Sequence, residues 1–305
     1  MPTTYPEPVN PLLPSVDGTE MTVDFLLNNP TVVTRIVADL TMRNFFLDRI
    51  FGSGGEVEGG AVLYDQANFL DTYLNRDVER ITPGAEAPIV SGVRTAPLVA
   101  QVEKFGGKFP TVDEARRRNR QSTYNNNLRR LANTIVRKMN QRGMAELAAA
   151  ITAYSRTGSG VSWADALALT MTTRTAAMMP MRDISAAQKA LENLEMDVEY
   201  DTLIVNPQES DVLRVLYGSE LDETLADNGI NELISTPRQT AGTAKLLAGG
   251  QVGELRLEEP LRTWTADEKV SAPTMVEQTW TQTLVNPVMY VTDPYAILEI
   301  TGLAA

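Results

Sequence analysis

The sequence has neither cysteine nor histidine among its 305 residues. Without cysteine there are no disulfides, thiol nucleophiles, thiolate zinc sites or cysteine-held iron–sulfur clusters. Without histidine as well, Ser-His-Asp and Cys-His nucleophilic sites cannot be built, nor can the usual zinc, copper and non-haem iron spheres. What stays open to an enzyme is carboxylate-pair chemistry, oxygen-ligated magnesium or calcium, or lysine chemistry, and only six lysines are present. The adjacent carboxylates Asp222/Glu223, Glu258/Glu259 and Asp267/Glu268 match no calcium loop and read as solvated loops. No catalytic residue, cofactor or metal is assigned, and a non-enzymatic protein is expected. A run of ~18 or more apolar residues is also missing, as is a basic leader followed by an apolar stretch. Neither a membrane span nor a secretory signal is supported, and the chain is expected to work inside a cell.

The apolar content of 43% is enough for a real core in one large or two modest domains. Charge is segregated. The chain carries a net −12, yet Thr111 to Ile151 holds nine Arg or Lys against three Asp or Glu, a local +6 that leaves −18 on the rest. Such asymmetry points to self-association between acidic and basic surfaces, to a basic face toward a polyanion, or to a solvated helix face.

That basic stretch reads as a single long helix. Tyr124, Leu128, Leu131, Ile135 and Met139 fall on one face at helical spacing, with Arg130 and Arg137 opposite. Thr111 with Glu114 three residues on forms a capping-box signature after Pro110, and Asp113 and Glu114 occupy the first turn. At ~1.5 Å per residue the helix approaches ~60 Å, more a strut than a catalytic wall. Asn125–Asn127 and Gly143 are its expected weak points, having poor helix propensity.

Before it, residues 1–20 carry five prolines (Pro2, Pro6, Pro8, Pro11, Pro14) without periodicity and read as an extended arm. Thr31 to Asn44 is a short amphipathic helix entered through Asn29-Pro30. Gly52 to Val102 reads as a long two-stranded excursion, with strand character at Ala61–Tyr64 and Val93–Phe105, that needs a partner surface. Its glycine run Phe51–Gly60 is not followed by Gly-Lys-Ser/Thr or a helix, so a phosphate loop is not supported.

After the long helix, Ser162 is expected to cap a helix running to about Met179, ended by Pro180, and Asp183 or Ser185 to open another with Ile184, Leu191 and Leu194 inward. Thr202–Val205 reads as a buried strand and the stretch after Asn206-Pro207 as a helix to Tyr217, a mixed α/β order. Gly229 to Arg256 alternates turns with short strands (ELIS, AKLLA, ELRL). Thr274–Trp280, Thr283–Asn286, Val288–Thr292 and Ala296–Ile300 read as an antiparallel meander. Trp163, Trp264 and Trp280 are read as core or lobe-junction residues.

The order of these elements resembles the shell fold of tailed-bacteriophage major capsid proteins, shared with encapsulins. GGKFPTVDEARRRN leading into the long helix, DTLIVNPQESDVLRVL in the α/β part and VMYVTDPYAILEITGL at the end carry the likeness. The resemblance aligns Met1–Asn29 with an N-terminal arm, Gly52–Val102 with an extended loop and Thr111–Ile151 with a spine helix. Ser162–Trp264 then corresponds to an axial domain and Pro273–Ile300 to closing strands. The expected fold is α+β: residues 1–50 as arm and short helix, 51–105 as extended loop, 106–155 with 270–305 as peripheral domain, and 156–269 as axial domain.

The resemblance implies a shell subunit forming hexamers and pentamers of an icosahedral head around double-stranded DNA, located in the virion and assembled in the bacterial cytoplasm. Other expected partners are a portal, decoration proteins and a scaffolding protein; since only some 30 to 50 residues precede the loop, the scaffold is expected to be separate from this chain or a segment already missing from it. Some relatives lock their shells through a lysine of the extended loop. Here the first lysine is Lys104, beyond that loop, so no such cross-link is expected. Arg116, Arg117, Arg118, Arg120, Arg129, Arg130 and Arg137 are the candidate contacts to neighbouring subunits or to DNA. The alternatives are an encapsulin-like compartment shell and a nucleic-acid-binding protein that uses the arginines on phosphates.

Overall fold

The computed structural model describes residues 16–17, 20–42, 44–67, 80–84, 86–87, 89, 96–169, 173, 175–196, 198–269 and 277–304. The proline-rich arm up to Ser15, the middle of the extended excursion and Thr274–Val276 lie outside them. In chain order the elements are β1 (Val16–Asp17), β2 (Glu20–Met21), α1 (Val23–Asn28), α2 (Pro30–Met42), β3 (Gly52–Glu56), β4 (Ala61–Tyr64), β5 (Leu98–Gln101) and β6 (Phe105–Val112). Next come α3 (Asp113–Arg117), α4 (Gln121–Ala153), β7 (Thr157–Ser159), α5 (Trp163–Ala168), α6 (Pro180–Glu192), β8 (Thr202–Val205) and α7 (Pro207–Tyr217). The chain ends with α8 (Leu221–Asp227), β9 (Glu232–Ser235), β10 (Thr243–Leu247), β11 (Gly253–Lys269), β12 (Glu277–Val291) and β13 (Ile297–Thr301). No helix among the described residues is long and apolar enough to cross a membrane.

Two compact units share the chain. The first comprises residues 1–45, 102–139 and 257–287. Its core joins Val23, Leu26 and Leu27 of α1 and Val33 and Val37 of α2 to Tyr124, Leu128 and Ala132 of α4. Thr22 caps α1, its Oγ1 accepting from the Phe25 N–H at 3.2 Å. β6 and β12 pair antiparallel from Phe105↔Val285 to Val112↔Gln278. The alternation along β12 buries Thr279, Thr281 and Thr283, and the hydroxyls find partners within the sheet and its helix: Thr283 with Thr263 at 2.9 Å, Thr281 with the Tyr124 hydroxyl at 3.3 Å. Burial pushes the Tyr124 phenol up to about 12 against that hydrogen bond.

The long helix is broken where continuity was expected. Thr111 is the penultimate residue of β6, paired with Thr279, and Val112 precedes α3 without a side-chain cap. After the five residues of α3 the backbone turns left-handed at Asn119 (φ 46°), whose Oδ1 accepts from the Val23 N–H at 2.9 Å. Asparagine tolerates that conformation better than most residues. α4 then runs unbroken for 33 residues, roughly 50 Å, through both Asn125–Asn127 and Gly143.

The second unit comprises residues 46–101, 140–256 and 288–305. Its main sheet has the order β7-β13-β10-β8-β9, antiparallel across β13-β10-β8 and parallel at β7 and β9. The last strand therefore sits inside this sheet instead of closing the expected meander. All four residues of β8 are buried, and Trp163, Ile184, Leu191, Tyr200 and Leu213 pack into the same core. On that sheet the buried Lys245 meets its cross-strand partner, the partly buried Glu299, in an ion pair of 2.7 Å, and Lys245 also donates to the Gln239 Oε1 at 2.9 Å.

Pro180 opens α6 rather than ending a preceding helix, as suits proline at a first helical position. The preceding helix, expected to reach Met179, stops at Ala168. Asp183 explains the local tie, accepting from Trp163 Nε1 at 3.1 Å and the Val161 N–H at 3.0 Å. Trp264 and Trp280 are only partly buried. The paired carboxylates read as loops lie elsewhere: Asp222/Glu223 begin α8, while Glu258/Glu259 and Asp267/Glu268 belong to β11.

A sheet of order β3-β11-β12-β6 takes in the glycine run. Gly52–Glu56 pairs there instead of in the excursion, and a side chain on Gly54 would collide with Arg256. The excursion itself is the antiparallel pair β4/β5, from Ala61↔Gln101 to Tyr64↔Leu98. Its base is tied down by Tyr64 stacked on Tyr290 at 4.5 Å, the Ala67 N–H donating to the Thr292 carbonyl at 2.7 Å and Tyr154 donating to Gln66 at 2.8 Å.

Candidate nucleic-acid and subunit interface

The seven arginines separate into two groups with different electrostatic fates. On α3, Arg116 lies against Asp24, whose side chain is only 5% exposed and also accepts from Asn28. Arg117 pairs with Asp113 at 2.6 Å, and Arg118 faces Glu114 at 4.0 Å, both one helical turn back. These cations are matched within the subunit. Arg120 is exposed just before α4.

On α4, Arg129, Arg130 and Arg137 are exposed and make no ion pair among the described residues. Opposite them Tyr124, Leu128, Ile135 and Met139 are buried, as the helical spacing requires, with Leu131 partly so. Arg130 lines a groove of about 830 Å³ between β6 and α4. Its other cations are Lys104 and Lys108 from β6 and the turn before it, and Lys138 two turns along the helix. No carboxylate lines this groove. The floor is apolar, from Phe105, Leu131 and Ile135, and Asn127 adds a neutral donor, while the Thr134 hydroxyl donates back to the Arg130 carbonyl at 2.8 Å. The strand can lie this close to the helix because Gly107 has no side chain: a Cβ there would come within 2.8 Å of Leu131. Lys108 sits over the Trp280 ring at 4.4 Å.

Arg130 thus lines a groove, Arg116 and Arg117 are matched locally, and three lysines that an arginine-centred reading passed over share the groove with Arg130. A signal for them was present in the sequence. Three of the chain's six lysines fall between positions 104 and 138, and Lys104 and Lys108 flank and enter β6 four residues apart.

A second exposed surface lies on the excursion. Leu63 and Val99 are cross-strand partners, 72% and 58% exposed. Two directly opposed apolar side chains left in water on an isolated strand pair mark a surface for covering.

A sequence model of the phage capsid protein family matches residues 95–300. The chain belongs to that family. Similar solved structures include a virus-like particle from Pyrococcus furiosus, at 13% identity and a TM-score of 0.57 over 88% of this chain and 98% of that one. A structure from Microbacterium phage Oxtober96 matches at 12% identity and a TM-score of 0.59, over 86% and 90%. The capsid of Myoviridae phage XM1 matches at 14% identity and a TM-score of 0.54, over 85% and 91%. Comparison with curated proteins finds no match. The chain is therefore a phage capsid protein with the expected α+β shell fold, a structural component of the virion and not an enzyme. An encapsulin-like compartment is not favoured, since the matched family is that of phage capsids.

Proposed function

We propose that this capsid protein is the major head-shell subunit of a tailed double-stranded DNA phage, joining copies of itself as hexamers and pentamers of an icosahedral shell. The observation that carries this reading beyond family membership is the β4/β5 excursion, whose opposed Leu63 and Val99 are far more exposed than a solitary subunit favours. A lattice supplies the missing cover.

Within the subunit, residues 1–50 act as arm and short helices and 51–105 as the reaching loop. Residues 106–155 with 270–287 act as the peripheral part, and 156–269 with the last strand as the axial part. The shell is assembled in the bacterial cytoplasm, with a scaffolding protein, a portal and, on some heads, decoration proteins as partners. Because the first lysine is Lys104, the loop forms no lysine cross-link, and denaturing gels of mature heads are expected to show a single band without covalent ladders.

The test of the whole reading is the size of the assembled material. Co-expression with the neighbouring head genes is expected to yield closed particles by sedimentation and electron microscopy. A monodisperse 33.4 kDa monomer under every such condition would sink it.

A further inference from the structure

We propose that the groove between β6 and α4 seats the phosphate backbone of the packaged DNA on the inner wall of the shell. The inference rests on the shell reading above and assigns to one place what the arginine cluster left divided.

The groove holds Lys104, Lys108, Arg130 and Lys138 with no acidic side chain in its lining, in a chain of net charge −12. Taking out those four positive charges leaves −16 on the remainder, which repels a polyanion. A wall of such subunits accepts DNA only where cations are concentrated. The α3 arginines are less available: Arg116 is held by the buried Asp24, and Arg117 and Arg118 each face a carboxylate one helical turn back.

Dimensions agree with a nucleic-acid strand. Arg130 and Lys138 are eight residues apart on α4, about 12 Å at ~1.5 Å per residue, and a DNA strand sets a phosphate every ~3.4 Å of axis. Three to four phosphates pass that length. Three of the four cations are lysines, flexible point charges that follow a polymer without fixed register, and Asn127 offers a neutral donor of the kind common at phosphate contacts.

An acidic segment of a second copy is the competing occupant. A dense exposed acidic run, Glu220–Asp227, sets four carboxylates over eight residues without a cation between them. Over about 12 Å of helix that is a charge every ~3 Å, roughly half the linear density of duplex DNA at one per ~1.7 Å. A groove with four cations and no acid matches the denser polymer.

Lysine-reactive labelling with mass spectrometry, run in parallel on DNA-filled heads and on empty shells of the unsubstituted protein, tests this. Lys104, Lys108 and Lys138 are expected to react severalfold more slowly in filled heads than in empty shells, and formaldehyde is expected to cross-link them to DNA. Equal protection in both particles would mean that a second copy covers the groove. Equal reactivity in both would mean that nothing does. Either result overturns the proposal.

The variant K104Q/K108Q/K138Q is expected to form empty shells as the parent does, and opened shells of the variant to bind DNA with a shallower salt dependence than opened parent shells. An unchanged salt dependence counts against the proposal. The labelling comparison decides the matter even if the variant fails to assemble. If the parent forms no particles at all, the shell reading falls, and this proposal with it.

Discussion

Gly143 lies directly against Leu47: a Cβ built on the glycine would come within 2.5 Å of Leu47 Cδ2. The residue expected to weaken α4 is therefore one at which the helix accepts a close neighbour. Leu47 is fully buried there.

Gly143→Ala sets two effects against each other. Helix propensity favours alanine by up to ~1 kcal/mol, while overpacking at a buried contact costs about 1–3 kcal/mol. Because the neighbour is a packed, fully buried leucine, the second effect is expected to win, with net destabilisation in chemical denaturation of the unassembled subunit. Leu47→Ala in the same chain is expected to remove most of the penalty that Gly143→Ala adds, so the two changes will be strongly non-additive.

Arg116 and Arg117 are adjacent, but their loss is not equivalent. Arg116→Ala leaves the buried Asp24 carboxylate with only Asn28 beside it, and a cost of about 3 kcal/mol is expected. Arg117→Ala removes a largely exposed one-turn pair with Asp113, expected to cost under about 0.5 kcal/mol. Equal denaturation midpoints for the two variants would contradict the burial argument.

Tyr124 gives the subunit an alkaline limit. Its phenol stays neutral in the fold up to about 12, against an ordinary value of 10.0. An unfolded chain releases that proton first, so the stabilising contribution is complete below pH 10 and is lost as pH rises through about 12. Each pH unit in that window costs up to ~1.4 kcal/mol. Denaturation curves are expected to show a smaller loss between pH 10 and 12 for Tyr124→Phe, which has no proton to release.

Leu63→Asp separates folding from assembly. The side chain is mostly exposed, so the unassembled subunit's stability is expected to change by less than about 0.5 kcal/mol. Shell formation, by sedimentation, is expected to fail, because the substitution places a charge on the surface a neighbour must cover. Normal particles from this variant would remove the excursion from the subunit contacts.

Periodicity made the core legible: Tyr124 to Met139 on α4, Thr202–Val205 and the helix after Asn206-Pro207 all lie where the spacing put them. Long-range choices were not legible. Thr111-x-x-Glu114 has the composition of a cap, but the ladder with Thr279 competed for Thr111 and won, and the turn was transferred to Asn119. Val288–Ile300 reads as a continuous meander, because nothing local tells a strand which sheet it will join. The arginines drew notice by number, whereas the groove lysines depend on a strand packing over a helix, made possible by Gly107.

β13, the last strand of the chain, lies between β7 and β10, within the sheet and not at its margin. The sheet therefore cannot close until a strand distant in sequence has docked in its middle. Until residues 297–301 pair, β10 presents open hydrogen-bonding groups, and the pairing that closes them joins segments far apart in sequence, which is slow to form. An undocked β13 leaves β7 without its only neighbour in this sheet and β10 with one free edge, so the docking of five residues decides whether the subunit's main sheet is finished.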